Sequence, residues 1–188
     1  LSTTADETPS NRPTQPLPHP GPLHTPPTRA RRFPADVHRV PPHMHTSLAA
    51  LFDSTGSPFR LESVAVPAPG PGEILVRNEY TTLCRSDLYT YLGKRTEKTP
   101  TILGHEIIGR IAALGPDAPN SDCRGTALRV GDRITWAIYA SDPCSCMARA
   151  GIPQKAPDLF KYGHEQVTAS SHLHGGLAEH CLLRRHTP

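Results

Sequence analysis

Between Leu48 and Leu183 the apolar residues come in short runs, each bounded by Gly, Pro, Asp or Asn. The runs are Phe59-Arg60-Leu61-Glu62-Ser63-Val64, Glu73-Ile74-Leu75-Val76-Arg77, Arg110-Ile111-Ala112-Ala113-Leu114, Arg133-Ile134-Thr135-Trp136-Ala137-Ile138-Tyr139 and the stretch from Leu177 to Leu183. Pro67-Ala68-Pro69-Gly70-Pro71-Gly72 and Gly131-Asp132 are turn signals between them. Runs this short, with few apolar residues at helical spacing, predict a mainly β domain, a sandwich or a barrel. One short helix is expected at Ser86-Asp87-Leu88-Tyr89-Thr90-Tyr91-Leu92, stopped by Gly93. No internal repeat occurs.

The first 43 residues follow a different rule. They hold eleven of the 22 prolines, in strings such as Pro16-Leu17-Pro18-His19-Pro20-Gly21-Pro22. Proline removes a backbone donor and fixes φ, so neither a helix nor a central strand is sustained there. With few apolar residues to offset the entropy of ordering, residues 1–43 read as a disordered Pro-rich tail and residues 44–188 as the folded domain. Leu1 in place of a methionine points to a sequence incomplete at this end or to a start at Met44. Arg29, Arg31 and Arg32 lie among prolines that break any amphipathic presequence helix.

The hydrophobic share of 36% is low for a wholly folded chain, which agrees with that division. The net charge of +3 sits mostly on the tail, leaving the body close to neutral, so nucleic acid is not an expected partner. No run approaches the roughly eighteen apolar residues of a spanning helix, so no membrane is expected either. The five cysteines are Cys84, Cys123, Cys144, Cys146 and Cys181. An odd, sparse set without a secretory signal argues against a disulfide framework and for a reducing, cytoplasmic setting.

Candidate chemistry gathers at Cys84, Ser86, Asp87 and the pair His105-Glu106. Thiolate, imidazole and carboxylate form a borderline-soft donor set that suits zinc. A zinc with an open position polarises a carbonyl or lowers the pKa of a hydroxyl. Spacing alone also fits a buried cysteine and a surface His-Glu pair.

Four strings in order go further: Pro69-Gly70-Pro71-Gly72-Glu73-Ile74-Leu75-Val76-Arg77, Cys84-Arg85-Ser86-Asp87, Gly104-His105-Glu106-Ile107-Ile108-Gly109 and Val130-Gly131-Asp132-Arg133-Ile134. Together with Gly175-Gly176-Leu177-Ala178-Glu179 they resemble the catalytic domain of the zinc-dependent medium-chain alcohol dehydrogenases, over roughly residues 48–183. The resemblance implies a partly open β-barrel of the GroES-like (chaperonin-10-like) kind. It implies catalytic zinc on Cys84 and His105, with Glu106 as an exchangeable carboxylate beside the metal. Ser86 would touch the substrate hydroxyl and pass its proton outward, and Asp87 would orient the histidine. The implied reaction moves hydride between an alcohol or carbonyl substrate and NAD(P).

The sequence departs from that pattern in three places. It ends at Pro188 without any Gly-x-Gly-x-x-Gly, so no residue of this chain is assigned to the dinucleotide. The Rossmann domain and the family's remaining zinc ligand would lie past that point, and an exposed apolar face is expected where such a domain docks. Four structural zinc ligands of the family align with Asp142, Ser145, Ala148 and Ala156, none a cysteine, so that metal is expected to be lost. Tyr89 stands where many members place the histidine of a proton relay. These departures keep open a non-catalytic GroES-like interaction module, or a degenerate truncated product. Oligomeric state is not legible. His164-Glu165 repeats the string His105-Glu106 and is read as unrelated to Cys84; His172 and His174 are read as ordinary loop or strand-edge histidines.

Overall fold

The structure, a computed structural model, describes residues 46–188; the expected tail at 1–43 and the start at Met44 lie outside the described residues. Strand β1 (Thr46–Leu51) alternates, with Ser47, Ala49 and Leu51 buried. It pairs antiparallel with β2 (Arg60–Ala65), from Thr46 opposite Ala65 to Leu51 opposite Arg60.

The main sheet has four antiparallel strands: β3 (Ile74–Thr82) and β4 (Glu106–Leu114) at its centre, with β5 (Arg133–Ile134) and β8 (His180–Leu183) at its edges. Ile74, Leu75 and Val76 are all buried, so this run is covered on both faces rather than on alternate residues. Val76 has no exposed surface, a burial that stabilises by roughly 1.5–3 kcal/mol. It packs with Ile107, Ile111, Phe160, Tyr162 and Cys181, while Ala49, Leu51, Ile102, Leu173 and Ala178 form a second cluster.

The two last runs of the sequence each divide. Residues 177–183 change partner part-way. Ala50 donates to the Leu177 carbonyl at 2.8 Å and Glu179 donates to Leu48 at 3.0 Å, after which His180–Leu183 pair with β3. This switch links the β1–β2 hairpin to the main sheet and gives the partly open barrel.

The run from Arg133 to Tyr139 is not one strand, which corrects the reading from its apolar residues. It breaks after Ile134, because the Thr135 hydroxyl donates to the Ile107 carbonyl at 2.9 Å and Trp136 turns inward against Tyr162, ring centroids 6.4 Å apart. It resumes as β6 (Tyr139–Ala140), paired with β7 (Phe160–Lys161).

Helix α1 (Arg85–Tyr91) lies where the sequence puts it, and Gly93 ends it at φ 71°, a conformation open to glycine at little cost. A one-turn α2 (Cys146–Arg149) and a 3-10 turn (Pro153–Lys155) complete the order. No helix among the described residues is long and apolar enough to cross a membrane. Tyr80, Leu83, Leu88, Leu92 and Ile108 remain exposed.

Candidate metal centre

Cys84 sits between the end of β3 and the start of α1, and His105 directly precedes β4. The final rung of the β3–β4 ladder pairs Thr82 with Glu106, which lays the first residue of β4 beside the approach to Cys84. Ligand atoms of Cys84, His105 and Glu106 all lie within 4.8 Å of one another, the one such group among the described residues.

Asp87 joins the two segments that carry these residues. Its side chain is 2% exposed. One oxygen accepts the Cys84 amide at 2.9 Å, as the returning half of a capping box, and the other accepts the Gly104 amide at 3.2 Å. That second oxygen lies 3.6 Å from His105 Nδ1, a buried nitrogen with no hydrogen-bond partner. The other ring nitrogen, Nε2, is 3.5 Å from Ser86 Oγ. Glu106 is exposed and accepts the Thr82 hydroxyl. That hydroxyl, helped by Cys84 and His105 against partial desolvation, holds the Glu106 carboxyl below its usual range.

Sulfur, nitrogen and oxygen donors converge within 4.8 Å, and the face of His105 turned from Asp87 leaves Nε2 for a ligand bond. The residues present therefore fit zinc. Beside them opens a cleft of about 490 Å³, with Thr82, Ile108, Trp136 and Ile138 on its walls.

His164 overturns one expectation. Far from being unrelated to Cys84, it packs against His105, whose ligand atom lies within 4.8 Å of the Cys84 thiol: the His164 and His105 rings have centroids 4.8 Å apart and planes inclined by 34°. Two Gly-His-Glu strings thus lie against each other, and at Gly163 any Cβ would stand 2.6 Å from the Gly104 carbonyl oxygen. His164 Nδ1 is 3.1 Å from a Glu97 carboxylate oxygen, and Arg95 Nε donates to the same oxygen at 2.7 Å. Burial above all, and then the neighbouring Arg95, pushes His164 down to about 3, so its imidazole is neutral. Burial also pushes the Glu97 carboxyl up. The repeated tripeptide was the only sequence signal for this contact. Glu165 points elsewhere, bonding the Lys161 amide at 3.3 Å.

The alcohol dehydrogenase GroES-like domain model matches residues 70–187. The chain belongs to this family. It is similar to the alcohol dehydrogenase patD of Penicillium expansum, 35% identical over 137 residues, covering 72% of this chain and 36% of that protein. The L-threonine 3-dehydrogenase of Stenotrophomonas maltophilia is 32% identical over 127 residues, covering 65% of this chain and 33% of its own length. The GroES-like fold appears again in a crystal structure of an alcohol dehydrogenase from Thermotoga maritima, TM-score 0.67 at 24% identity, covering 76% of this chain and 40% of that one. The chain spans about a third of the length of the curated relatives it matches.

Within this alcohol dehydrogenase-like domain the positions aligned with structural zinc ligands make other bonds. Ser145 Oγ accepts the Ala148 amide at 3.1 Å, Asp142 accepts the Cys144 amide at 2.8 Å, and Ala156 is buried. Tyr89 has two cations near its ring, Arg85 and Lys94 at 5.2 and 5.7 Å from the centroid. His172 Nε2 is 2.8 Å from the Ala65 carbonyl, whereas His174 is buried edge-on to Phe160, so the two do not converge.

Proposed function

We propose that residues 44–188 form the zinc-holding part of an NAD(P)-dependent alcohol or carbonyl oxidoreductase, with Cys84, His105 and Glu106 as metal ligands and Ser86, Asp87 and Glu106 as its catalytic and supporting groups. The observation that carries this reading is the convergence of three donor atoms within 4.8 Å, next to a buried carboxylate that fastens both ligand segments. When bound there, zinc supplies Lewis acidity toward a substrate oxygen. Ser86 Oγ, 3.5 Å from His105 Nε2, is the hydroxyl that would take a proton from a small alcohol held at the site and pass it toward solvent. Asp87 keeps Cys84 and His105 at a fixed separation. Glu106, its carboxyl held below the usual range by the Thr82 hydroxyl, would offer an anionic oxygen to the metal or to a water beside it. No described residue is assigned to the nicotinamide cofactor. Exposed Leu83, Leu88, Leu92 and Ile108 support a covering element near the site, and five free cysteines support a reducing, cytoplasmic setting.

Zinc content per purified chain tests the reading. About one zinc in the unaltered chain, lost in both Cys84→Ala and His105→Ala, is the expected result; a metal-free chain overturns it. A second reading, a non-catalytic GroES-like interaction module, is favoured by Tyr89, which has Arg85 and Lys94 beside its ring at the position where many members of the family place the histidine of a proton relay.

A further inference from the structure

We propose that His164 is a positioning residue for His105: tethered by Glu97 and laid on the His105 ring, it fixes the plane of that ring and so sets how tightly the Cys84–His105–Glu106 site holds its metal. The inference rests on the zinc reading above and names a group that reading does not use.

An imidazole has two side-chain torsions to fix. Asp87 lies 3.6 Å from His105 Nδ1, beyond the reach of a well-formed N–H···O bond, so it locates that edge without defining the tilt of the ring. A constraint on the ring face is needed, and His164 supplies it at 4.8 Å between centroids. Packing alone does not call for histidine here. The His164 side chain is 5% exposed, and a buried imidazole costs free energy unless its polar edge is bonded; leucine or phenylalanine would fill the space without that cost. The polar edge is used: Nδ1 meets Glu97 at 3.1 Å, and Glu97 is itself held by Arg95 at 2.7 Å.

The backbone is arranged for the same contact. Gly163 has φ 76°, its amide donates to the His174 carbonyl at 2.7 Å, and its Cα packs on the Gly104 carbonyl. The residue before each histidine is thus the point of closest approach, which places ring on ring. Arg95, Glu97, His164 and His105 form a chain of contacts running from the surface to the site. Groups that orient a ligating histidine commonly change metal affinity by about 10–100-fold when removed.

The experiment uses the full 188-residue chain, with zinc affinity measured by chelator competition and cobalt(II) absorption reporting ligand geometry. His164→Ala is expected to weaken zinc binding by about 10–100-fold and to shift the cobalt d–d bands. His164→Phe keeps a ring but loses the tether, and is expected to fall between. Glu97→Gln preserves an acceptor for Nδ1 and is expected to bind as the unaltered chain does. His172→Ala, which removes an imidazole that meets the Ala65 carbonyl, is expected to leave the cobalt spectrum unchanged even if the melting temperature moves. In the metal-free chain, ring-current shifts of the His105 ring protons are expected to vanish in His164→Ala.

Equal zinc affinity and an unchanged cobalt spectrum in His164→Phe and His164→Ala would overturn the inference while leaving the zinc reading intact. If His164→Ala does not fold, His164→Phe decides alone by the same criterion. An unaltered chain that gives no cobalt absorption overturns both, and is told apart because no variant is needed to see it.

Discussion

Asp87→Asn is the sharpest test of how the site is held together. The change keeps size and shape but removes the charge and one acceptor. At present two oxygens accept two backbone amides, from Cys84 at 2.9 Å and from Gly104 at 3.2 Å, in a place with 2% of the side chain exposed. Hydrogen bonds to a charged group contribute roughly 1.5–3 kcal/mol each, and a neutral bond about 1 kcal/mol. An asparagine accepts only one of the two amides and turns its NH2 group toward the other. One bond is therefore weakened by about 1 kcal/mol, and the other becomes an unsatisfied buried donor costing about 1–3 kcal/mol. The expected loss of about 2–4 kcal/mol is a large part of the roughly 5–15 kcal/mol that holds a domain together. Urea unfolding reads it directly, since Trp136 is the sole tryptophan and its ring packs against buried Tyr162. With m of about 2 kcal/mol per molar, ordinary for a small protein, the midpoint should fall by about 1–2 M. The measurement is made with chelator present, so that metal binding contributes nothing. A midpoint within about 0.2 M of the unaltered chain, at equal m, would refute Asp87 as the fastening of the two segments.

Three further outcomes are expected. Gly163→Ala should destabilise by at least the roughly 1–2 kcal/mol of a left-handed non-glycine residue, because its Cβ also meets the Gly104 carbonyl at 2.6 Å; thermal melting checks this, and a neutral result would contradict the close approach. Of the five thiols, exposed Cys123, Cys144 and Cys146 should react first with a disulfide reagent. Buried Cys181, its thiol pushed up by burial, should react only on unfolding, and zinc should slow Cys84 alone. Burial holds His174 below its usual pKa, so between the unfolded value near 6.5 and its lower folded value the unfolded state binds a proton the folded state excludes. Stability is then full above about pH 6.5 and falls on acidification, by up to about 1.4 kcal/mol per pH unit for each such histidine. His174→Phe should flatten the fall in part, with His164 retaining its share.

What was legible in the sequence is what nearest neighbours decide. Gly93 stops α1 where a left-handed residue is needed, and the Ile74-Leu75-Val76 run reads as a buried strand because its composition suits no other place. Cys84, Asp87 and His105 stand out in the sequence by donor type, the resemblance gives them roles, and the β3–β4 ladder accounts for their meeting. The break after Ile134 was hidden because Thr135 and Trp136 suit a strand; their bonds to Ile107 and Tyr162 decide otherwise, and those partners are distant in sequence. His164 was misread for a related reason. A second Gly-His-Glu string carries no information about position until the Gly104 and Gly163 backbones are known to touch.

That touch makes demands on time as well as on space. Gly104 lies under Gly163 and accepts the Gly176 amide at 2.7 Å, so two stretches from much later in the chain close on one carbonyl with no side chain between them. Contacts of such long sequence separation are slow to form, since the entropy of closing the intervening loops is lost before anything is gained. The histidine pair is a non-local contact of this kind, and during synthesis His105 cannot meet its neighbour until the growing chain has passed His164. A nascent chain halted before that histidine would carry Cys84, His105 and Glu106 in full and still lack the ring that packs on His105.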